Sequence, residues 1–485
     1  MKQVFNPFLP LNKYIADGEA HVFDNRVYLF GSHDSEGGES YCLEDYEVWS
    51  APLDNLKDWT CPGISYSVKQ DPLYNEKMCY GYAPDVVRGN DGKFYMYYCL
   101  SGWKGRGGYT GPISVAVCDT PDGKYEYLGC VHHPDGRPYL DYVCFDPAVI
   151  NDDGTIRIYF GTGPYRNLQI RPWNAFLLKM IYEKIYGKPA SSFTQKPGPL
   201  GANVAVIADD MLTLKELPKR IEIQNCKHHA FFEGSSIRKW NGIYYFVYSS
   251  EKNHELCYAT SRYPDKDFVF KGILVSNGDV GINGRKEKQR ANTTGTTHGE
   301  IERINNEWYI FYHRLTHGSD YSRQSCAEKL QLLPNGEFQQ AEMTSCGLND
   351  KDLLGFGKYP AIICCQLTNG HMPHVSNRKV SKLPMITHEG QTRYIANARK
   401  GTSVIYKYFD LQTTNKITLK ARGKGIVNIL IQGVSQGSIE FNSDTWCQRE
   451  LTLRKGSLHN VLSFKILEGS LDLLDFQLYS NESQI

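Results

Sequence analysis

The sequence predicts an all-β protein that consists of a five-bladed β-propeller followed by a β-sandwich of the jelly-roll type. Two observations predict this fold. A hairpin unit recurs five times within residues 1–343, and from residue 379 onward the sequence changes to short alternating strands. Repeated units of three or four antiparallel strands are typical of propeller blades, so we expect one blade from each unit.

Each unit opens with an ionisable residue and a short apolar run, followed by a turn and a returning strand. In the third unit the run is 145–150, the turn 151–154 contains Asp and Gly, and the strand 155–161 is rich in aromatic and β-branched residues. This pattern predicts a β-hairpin. The five opening residues, which lie 68, 61, 87 and 65 positions apart, are Asp17, Asp85, Asp146, Glu233 and His298.

These five opening residues are far apart in the chain but should meet in space. The first strand of each propeller blade lies nearest the central axis, so equivalent strand ends converge at one mouth of the channel. A single Asp at a repeat start can simply cap a turn. Five ionisable residues in register are not explained by capping alone, and we expect them around one pocket.

The third unit is the longest because it carries an insertion at about residues 164–201. The apolar residues that follow helical spacing in it are Trp173, Phe176, Leu177, Met180, Ile181 and Ile185. Pro172 before them and Gly187 after them are helix start and stop signals, so we expect an amphipathic helix. This helix either packs on the blade surface or forms a wall or lid of the pocket or a subunit contact.

The propeller pattern ends near Met343. Residues 344–378 are predicted to form a connector, and residues 379–485 the β-sandwich, since segments such as 403–409 and 426–431 alternate like half-buried strands.

Composition and charge exclude several classes of partner. The chain has 54 Lys and Arg against 53 Asp and Glu, so its net charge of +1 favours neither nucleic acid nor an anionic membrane. No run approaches the roughly 18 apolar residues of a membrane span. The start of the sequence lacks the apolar core of a signal peptide, which predicts a cytoplasmic protein, with a secreted form left open. The 14 cysteines have no regular spacing and predict reduced thiols.

Three carboxylates around one pocket are suited to acid–base chemistry at an acetal. Glycoside hydrolysis needs a protonated carboxyl group that donates to the leaving oxygen and an ionised carboxylate that activates water or attacks carbon. Crowded carboxylates have separated pKa values, so a third one can keep the acid protonated near neutral pH. The 33 Tyr, 21 Phe and 7 Trp residues supply flat faces for sugar rings.

Five segments of the sequence resemble glycoside hydrolase family 43, over about residues 6 to 340. They are Asn6-Pro7-Phe8-Leu9-Pro10 with Ala16-Asp17, Phe145-Asp146-Pro147, Phe232-Glu233-Gly234, Thr297-His298-Gly299 and Ser322-Arg323-Gln324. The resemblance implies that Asp17 is the general base, Glu233 the general acid and Asp146 the residue that raises the pKa of the acid. It also implies that His298 lies at the pocket floor, where some members hold a hydrated calcium ion, and that Arg323 binds substrate.

The sequence departs from the family pattern at one place, because Gly18 follows the base where the family usually has Pro. Asp85 resembles a common family segment, and we interpret it as structural or substrate-side rather than catalytic. Asp34, in the run Gly31-Ser32-His33-Asp34, is left unassigned.

The resemblance implies an inverting O-glycosidase that requires no cofactor, with a structural Ca²⁺ in the propeller channel left open. The expected substrates are oligosaccharides or glycosides with arabinofuranosyl or xylosyl ends, and inversion implies base and acid carboxyl groups about 6.5–9.5 Å apart. The alternatives are a β-galactofuranosidase, a carbohydrate-binding propeller without catalysis, a phosphorylase or transferase, and a retaining fructan or sucrose hydrolase. The C-terminal sandwich resembles carbohydrate-binding modules of family 6 at Trp446 and residues 473–476, and it either binds sugar or buttresses the propeller.

Overall fold

The computed structural model describes residues 3–163, 173–375, 382–454 and 456–480 of the 485-residue chain. It confirms the five-bladed propeller, with the blades formed from consecutive stretches of the chain. Blade one contains β1 to β5, which are Tyr14–Phe23, Arg26–Asp34, Tyr46–Glu47, Trp49–Pro52 and Ile64–Tyr66. Blade two contains β6 to β9, which are Tyr80–Arg88, Phe94–Ser101, Ile113–Cys118 and Glu126–Cys130. Blade three contains β10 to β13, which are Ala148–Asp152, Thr155–Thr162, Gly201–Ile207 and Lys219–Arg220.

Blades four and five complete the ring. Blade four contains β14 to β18, which are Ile223–Gln224, Phe231–Trp240, Ile243–Ser250, Glu255–Ser261 and Phe268–Ser276. Blade five contains β19 to β21, which are Gly299–Ile304, Glu307–Leu315 and Arg323–Leu330. Successive long strands within each blade pair antiparallel, and only the short β14 runs parallel, beside β18. The apolar side chains that alternate along these strands pack between neighbouring blades.

The N-terminal segment closes the ring against the last blade. The Phe8 backbone N–H donates to the Ser325 carbonyl at 3.2 Å. The Asn6 side chain pairs with the backbone of Ala327 in both directions, at 2.9 and 3.0 Å. The two ends of the propeller sequence are therefore held together by hydrogen bonds beside β21.

The C-terminal strands form one connected sheet of nine strands. They are β22 to β30, at Leu353–Leu354, Gly357–Pro360, Gln366–Thr368, Met385–Glu389, Thr392–Arg399, Ser403–Asp410, Thr414–Ile431, Val434–Thr452 and Asn460–Ser480. The strand β30 pairs with β23, β26, β27 and β28, with bulges along its length, and residues of all these strands share one apolar core. This arrangement agrees with the predicted β-sandwich.

The segment 344–378, predicted as a connector, contains the strands β22, β23 and β24, which pair with this C-terminal sheet. Strands of two to four residues are too short to give a periodic pattern, and the sequence therefore did not indicate them. The sandwich also contacts the propeller directly, since Arg314 of β20 donates to the carbonyl groups of Cys364 and Cys365 at 3.2 and 2.8 Å. Trp446 lies under the guanidinium of Arg422, at 4.5 Å, so one of its faces is covered.

The expected helix in the insertion is present as α1, at Ala175–Tyr186, and Gly187 ends it with a φ of 64°. Its start signal Pro172 lies outside the described residues. Only part of the expected apolar stripe packs: Ile181 and Ile185 contact the cluster beside the buried Leu178, Tyr182 and Tyr186, whereas Trp173, Phe176, Leu177 and Met180 are exposed by more than half. Tyr182 and Tyr186, spaced by one helical turn, complete the stripe that packs. The prediction missed them because it counted only purely apolar residues.

Short 3₁₀ helices connect several of these elements. They are Val68–Gln70, Trp103–Gly105, Ala190–Thr194, Ile282–Gly284, Glu287–Gln289 and Ala361–Ile363. No helix within the described residues is both long and apolar enough to span a membrane. All 14 cysteines are free thiols.

Candidate active site

The inner strands of the blades share a distorted backbone at the same place. On β1, β6 and β15 the register with the next strand shifts near the strand start, as in a β-bulge. The residues with positive φ at these places and at the start of blade three are Asp17 (53°), Ala83 (38°), Asp146 (45°) and Gly234 (70°). Bulges re-aim side chains, and this backbone conformation is uncommon for residues other than Gly. The distortion therefore marks the ring of positions that face the channel mouth.

The bulge also shows that the expected position of Asp85 in the pocket is wrong. Because of the register shift, Ala83 takes the position that Asp17 occupies in blade one, and Asp85 takes that of Glu19. The carboxylate of Asp85 is buried 2.6 Å from His21 Nε2 and does not line the pocket. Blade one carries the same bulge, so the misplacement comes from the count itself: Asp17 lies six positions before the end of β1 at Phe23, but Asp85 lies only three before the end of β6 at Arg88. The interpretation of Asp85 as structural agrees with these contacts.

A pocket at the channel mouth brings together the other sequence-predicted residues. Asp17, Asp146, Glu233, His298 and Arg323 all line it. The remaining lining residues are Tyr41, Tyr82, Lys104, Gly105, Tyr109, Phe145, Phe232, Asn253, Thr296 and Thr297. A concave site with convergent carboxylates and several aromatic rings suits a small polar ligand with flat faces, such as a sugar.

Asp17 is held as an ionised carboxylate. Burial alone would raise its pKa, but Arg323 Nη1, at 2.8 and 3.0 Å from its two oxygens, lowers the pKa to about 2. The Ser32 hydroxyl donates to Oδ2 at 2.6 Å. The backbone N–H of Asp17 donates to His313 Nδ1 at 3.1 Å, so His313 Nε2 carries the ring proton, 3.0 Å from the Thr296 carbonyl. His313 is thus a neutral acceptor that fixes the backbone of Asp17.

Arg323 is clamped between two carboxylates. Its Nε and Nη2 donate to Asp34 at 2.8 and 3.0 Å, while Nη1 donates to Asp17, and its guanidinium lies 5.0 Å from the centre of the Tyr41 ring. This fork geometry is the strongest form of ion pair in proteins. Asp34, which the sequence left unassigned, therefore orients the arginine that orients Asp17. The position of Asp34 opposite Tyr14, at the end of β2, carries no motif that could have indicated this.

Glu233 is held in its protonated form. Burial and the nearby charge of Asp146 raise the pKa of Glu233 well above its ordinary value. Burial, opposed by the charge of His298, raises the pKa of Asp146 to about 6. Asp146 Oδ2 also accepts the Gly234 backbone N–H at 3.0 Å, which ties Asp146 to the residue next to Glu233. Near neutral pH the pocket therefore holds an ionised Asp17 and a protonated Glu233.

Tyr109 is a site residue that the sequence did not indicate. Its hydroxyl lies 3.1 Å from Glu233 Oε2, and its ring packs on Phe145 at 4.4 Å and on Tyr186 of α1 at 5.2 Å. Helix α1 of the insertion therefore packs against Tyr109, the residue that contacts Glu233. Tyr109 lies in a glycine-rich loop between β7 and β8, where one tyrosine among 33 gives no signal.

Two positively charged side chains, His298 and Arg238, lie in the channel below the pocket. Burial alone would lower the pKa of His298, but contact with Glu19 and the charge of Asp146 raise it to about 9, so the ring is an imidazolium at neutral pH. Arg238 Nη2 lies 3.2 Å from Glu19 and 2.7 Å from Glu300. Calcium is bound by six to eight oxygen ligands. Glu19 and Glu300 offer only part of such a shell, and Arg238 already supplies positive charge to both carboxylates.

Sequence comparisons match this chain to glycosyl hydrolases that are named xylosidase/arabinosidase. The profile described as Glycosyl hydrolases family 43 matches residues 6–338. A xylosidase/arabinosidase of Thermoclostridium stercorarium is 39% identical over 444 residues, covering 87% of this chain and 86% of that protein. Xylosidase/arabinosidase 43A of Humicola insolens is 29% identical over 348 residues, covering 67% of this chain and 96% of that protein.

Solved structures agree with these sequence matches. A family 43 enzyme of Xanthomonas citri superposes with a TM-score of 0.53 at 26% identity, covering 72% of this chain and 96% of that one. A family 43 β-xylosidase/α-arabinofuranosidase from a compost microbial metagenome, in a calcium-free complex with xylotriose, gives 0.51 at 26% identity, covering 69% and 96%.

Proposed function

The chain belongs to glycosyl hydrolase family 43, and from this membership we propose that it removes terminal xylosyl or arabinofuranosyl residues from plant-type oligosaccharides. It is an O-glycoside hydrolase that acts with inversion. The observation that carries the proposal is the pocket in which Asp17 has a lowered pKa and Glu233 a raised one. Relatives named xylosidase/arabinosidase support the choice of sugars.

The proposed mechanism is a single displacement. Asp17, ionised and aligned by Arg323, takes a proton from a water molecule that attacks the anomeric carbon. Glu233 gives its proton to the leaving glycosidic oxygen, and Asp146 keeps Glu233 protonated between turnovers. A separation of about 6.5–9.5 Å between the base and acid carboxyl groups stays a prediction.

We assign His298 and Arg323 to the floor of the substrate site. The imidazolium of His298 lies 3.8 Å from Asp146 and 3.6 Å from Glu19, and Arg323 lines the pocket beside Asp17. The positive charge of Arg238 takes the part that a structural calcium ion would play in the channel, so we propose that the protein needs no calcium. A cytoplasmic location and sugar binding by the sandwich stay predictions.

A panel of 4-nitrophenyl glycosides tests the proposal. We expect turnover of the α-L-arabinofuranoside or the β-D-xylopyranoside, with the opposite anomer appearing first in ¹H NMR spectra. Rates should be the same in EDTA, in added calcium and in added phosphate. Hydrolysis of only the β-D-galactofuranoside would overturn the choice of sugar, binding without turnover would overturn catalysis, and a phosphate requirement would indicate a phosphorylase.

Replacing Asp146 by Asn should move the basic limb of the pH profile to lower pH by about one unit or more. Above pH 6 Asp146 is mostly charged and favours the protonated form of Glu233, which is the active form. Without that charge the pKa of Glu233 falls, and the acid loses its proton at a lower pH. The measurement is kcat/KM against pH. Asp153→Asn, on the same hairpin but 89% exposed, should leave the profile unchanged; an unmoved limb in Asp146→Asn would contradict the assigned role.

A further inference from the structure

A cluster of metal-ligating side chains lies in blade four, outside the pocket. His229 precedes β15, and Glu255 and Cys257 lie two residues apart on β17, so they share one face of that strand. His229 Nδ1 lies 2.5 Å from Glu255 Oε1. The Cys257 sulfur lies 3.9 Å from His229 Nδ1 and 3.7 Å from Glu255 Oε1. Three ligand atoms of different kinds thus converge on one point.

The sulfur is already at the distance that a tetrahedral ion requires. With Zn–S bonds of about 2.3 Å and Zn–N or Zn–O bonds of about 2.0 Å, tetrahedral angles place the sulfur about 3.5 Å from the nitrogen and the oxygen. The observed distances are 3.9 and 3.7 Å. The nitrogen and oxygen must separate from 2.5 Å to about 3.3 Å, because the ion takes the place of the proton between them. The His229 side chain is 23% exposed and can make this movement.

Neighbouring groups hold the three ligands in place. The Ser250 hydroxyl donates to Glu255 Oε1 at 2.7 Å, and Lys252 Nζ lies 3.5 Å from Oε2. The His229 ring stacks on Phe270 at 5.1 Å with an angle of 11° between the rings. Partners of this kind orient the ligands of natural metal sites. The present partners of Glu255 already account for its buried charge. The buried thiol of Cys257 beside this carboxylate is the feature that a bound metal ion would explain.

The donor set selects the class of ion. An imidazole nitrogen, a thiolate sulfur and a carboxylate oxygen suit zinc and similar transition metals, whereas calcium and magnesium prefer sites made of oxygen alone. The Glu255 and Cys257 side chains are buried, and the partial exposure of His229 leaves a route for the ion and a fourth position for water.

We propose that His229, Glu255 and Cys257 bind one divalent transition-metal ion of the zinc class. The ion ties the segment before β15 to β17. His229 lies four residues before Glu233, and the Glu251 backbone N–H already donates to the Ala230 carbonyl at 2.8 Å. Metal binding therefore stabilises the strand that carries the general acid, without any contact to the pocket.

Titration of the reduced, EDTA-treated protein with Co²⁺ tests the proposal. We expect one equivalent to bind with visible d–d bands and a thiolate-to-cobalt charge-transfer band, and Zn²⁺ to displace it. Cys257→Ser should remove the charge-transfer band, and His229→Gln should raise Kd at least tenfold. Two controls should leave the spectrum unchanged: Cys61→Ser, a half-buried thiol of blade one, and His388→Gln, in the thiol-free cluster of Glu36, His317 and His388.

Absence of a charge-transfer band in the wild type, or an unchanged band in Cys257→Ser, would overturn the proposal. Zn²⁺ should also raise the Tm of the wild type and raise that of His229→Gln much less, because the weaker binding gives less stabilisation. Because His229 is partly exposed, this variant decides the question even where the buried Cys257→Ser does not fold; an equal rise in Tm for both proteins would exclude the site.

Discussion

Replacing Asp17 by Asn should lower kcat/KM by about 10³-fold or more on every substrate, whatever its leaving group. The amide cannot accept the proton of the attacking water, and water activation is needed for all glycosides alike. The measurement compares an activated aryl glycoside with the matching disaccharide. A small anion such as azide, which needs no deprotonation, should restore part of the rate and give a glycosyl azide of inverted configuration.

The control for Asp17→Asn is Asp24→Asn, at the turn of the same hairpin, where the carboxylate is 71% exposed. Its kinetics should match the wild type. The Tm of Asp17→Asn must be recorded as well, because Arg323 then keeps only Asp34 as an ionic partner. A loss of less than tenfold in a folded Asp17→Asn protein would remove Asp17 from the role of base.

Replacing Glu233 by Gln should have an effect that depends on the leaving group. We expect a loss of about 10²–10⁴-fold on a disaccharide, whose leaving alcohol must be protonated, and a much smaller loss on an aryl glycoside with an acidic phenol. The basic limb of the pH profile should also disappear, since it reports the pKa of Glu233. Comparing kcat/KM across aryl glycosides of different phenol acidity measures both effects.

The matched control for Glu233→Gln is Glu222→Gln, an exposed glutamate before the same blade. It should leave the dependence on the leaving group unchanged. Equal losses on the disaccharide and on the activated aryl glycoside would contradict the assignment of Glu233 as acid, because a base or a binding residue would produce that result.

Most of the propeller could be predicted from the sequence because the hairpin unit repeats. Topology alone was enough to predict that Asp17, Asp146 and Glu233 share one pocket, since equivalent strand ends of a propeller converge. Asp85 was misplaced because the repeats were aligned on their turns, although Asp17 lies six positions before the end of β1 and Asp85 only three before the end of β6. The lengths of strands and turns differ between repeats and leave no periodic mark in the sequence.

The supporting residues of the site could not be predicted for a different reason. Asp34 acts through Arg323, and Tyr109 acts on Glu233, and each pair is joined only by the fold. The same holds for His229 and Cys257, whose separation in the chain gives no metal-binding spacing. The role of an isolated polar residue can be assigned only when the residues that it contacts in the fold are known.

The closure of the ring by the N-terminal segment has a consequence for when the protein becomes active. The contact between Arg323 and Asp17 spans 306 positions, and that between Asn6 and Ala327 spans 321. During synthesis the strand carrying Asp17 emerges first, but its arginine emerges only with the last strand of blade five. Contacts this distant in the chain form late and slowly. The catalytic base is thus among the first residues made and among the last to be oriented, so a truncated or half-folded chain carries no aligned base.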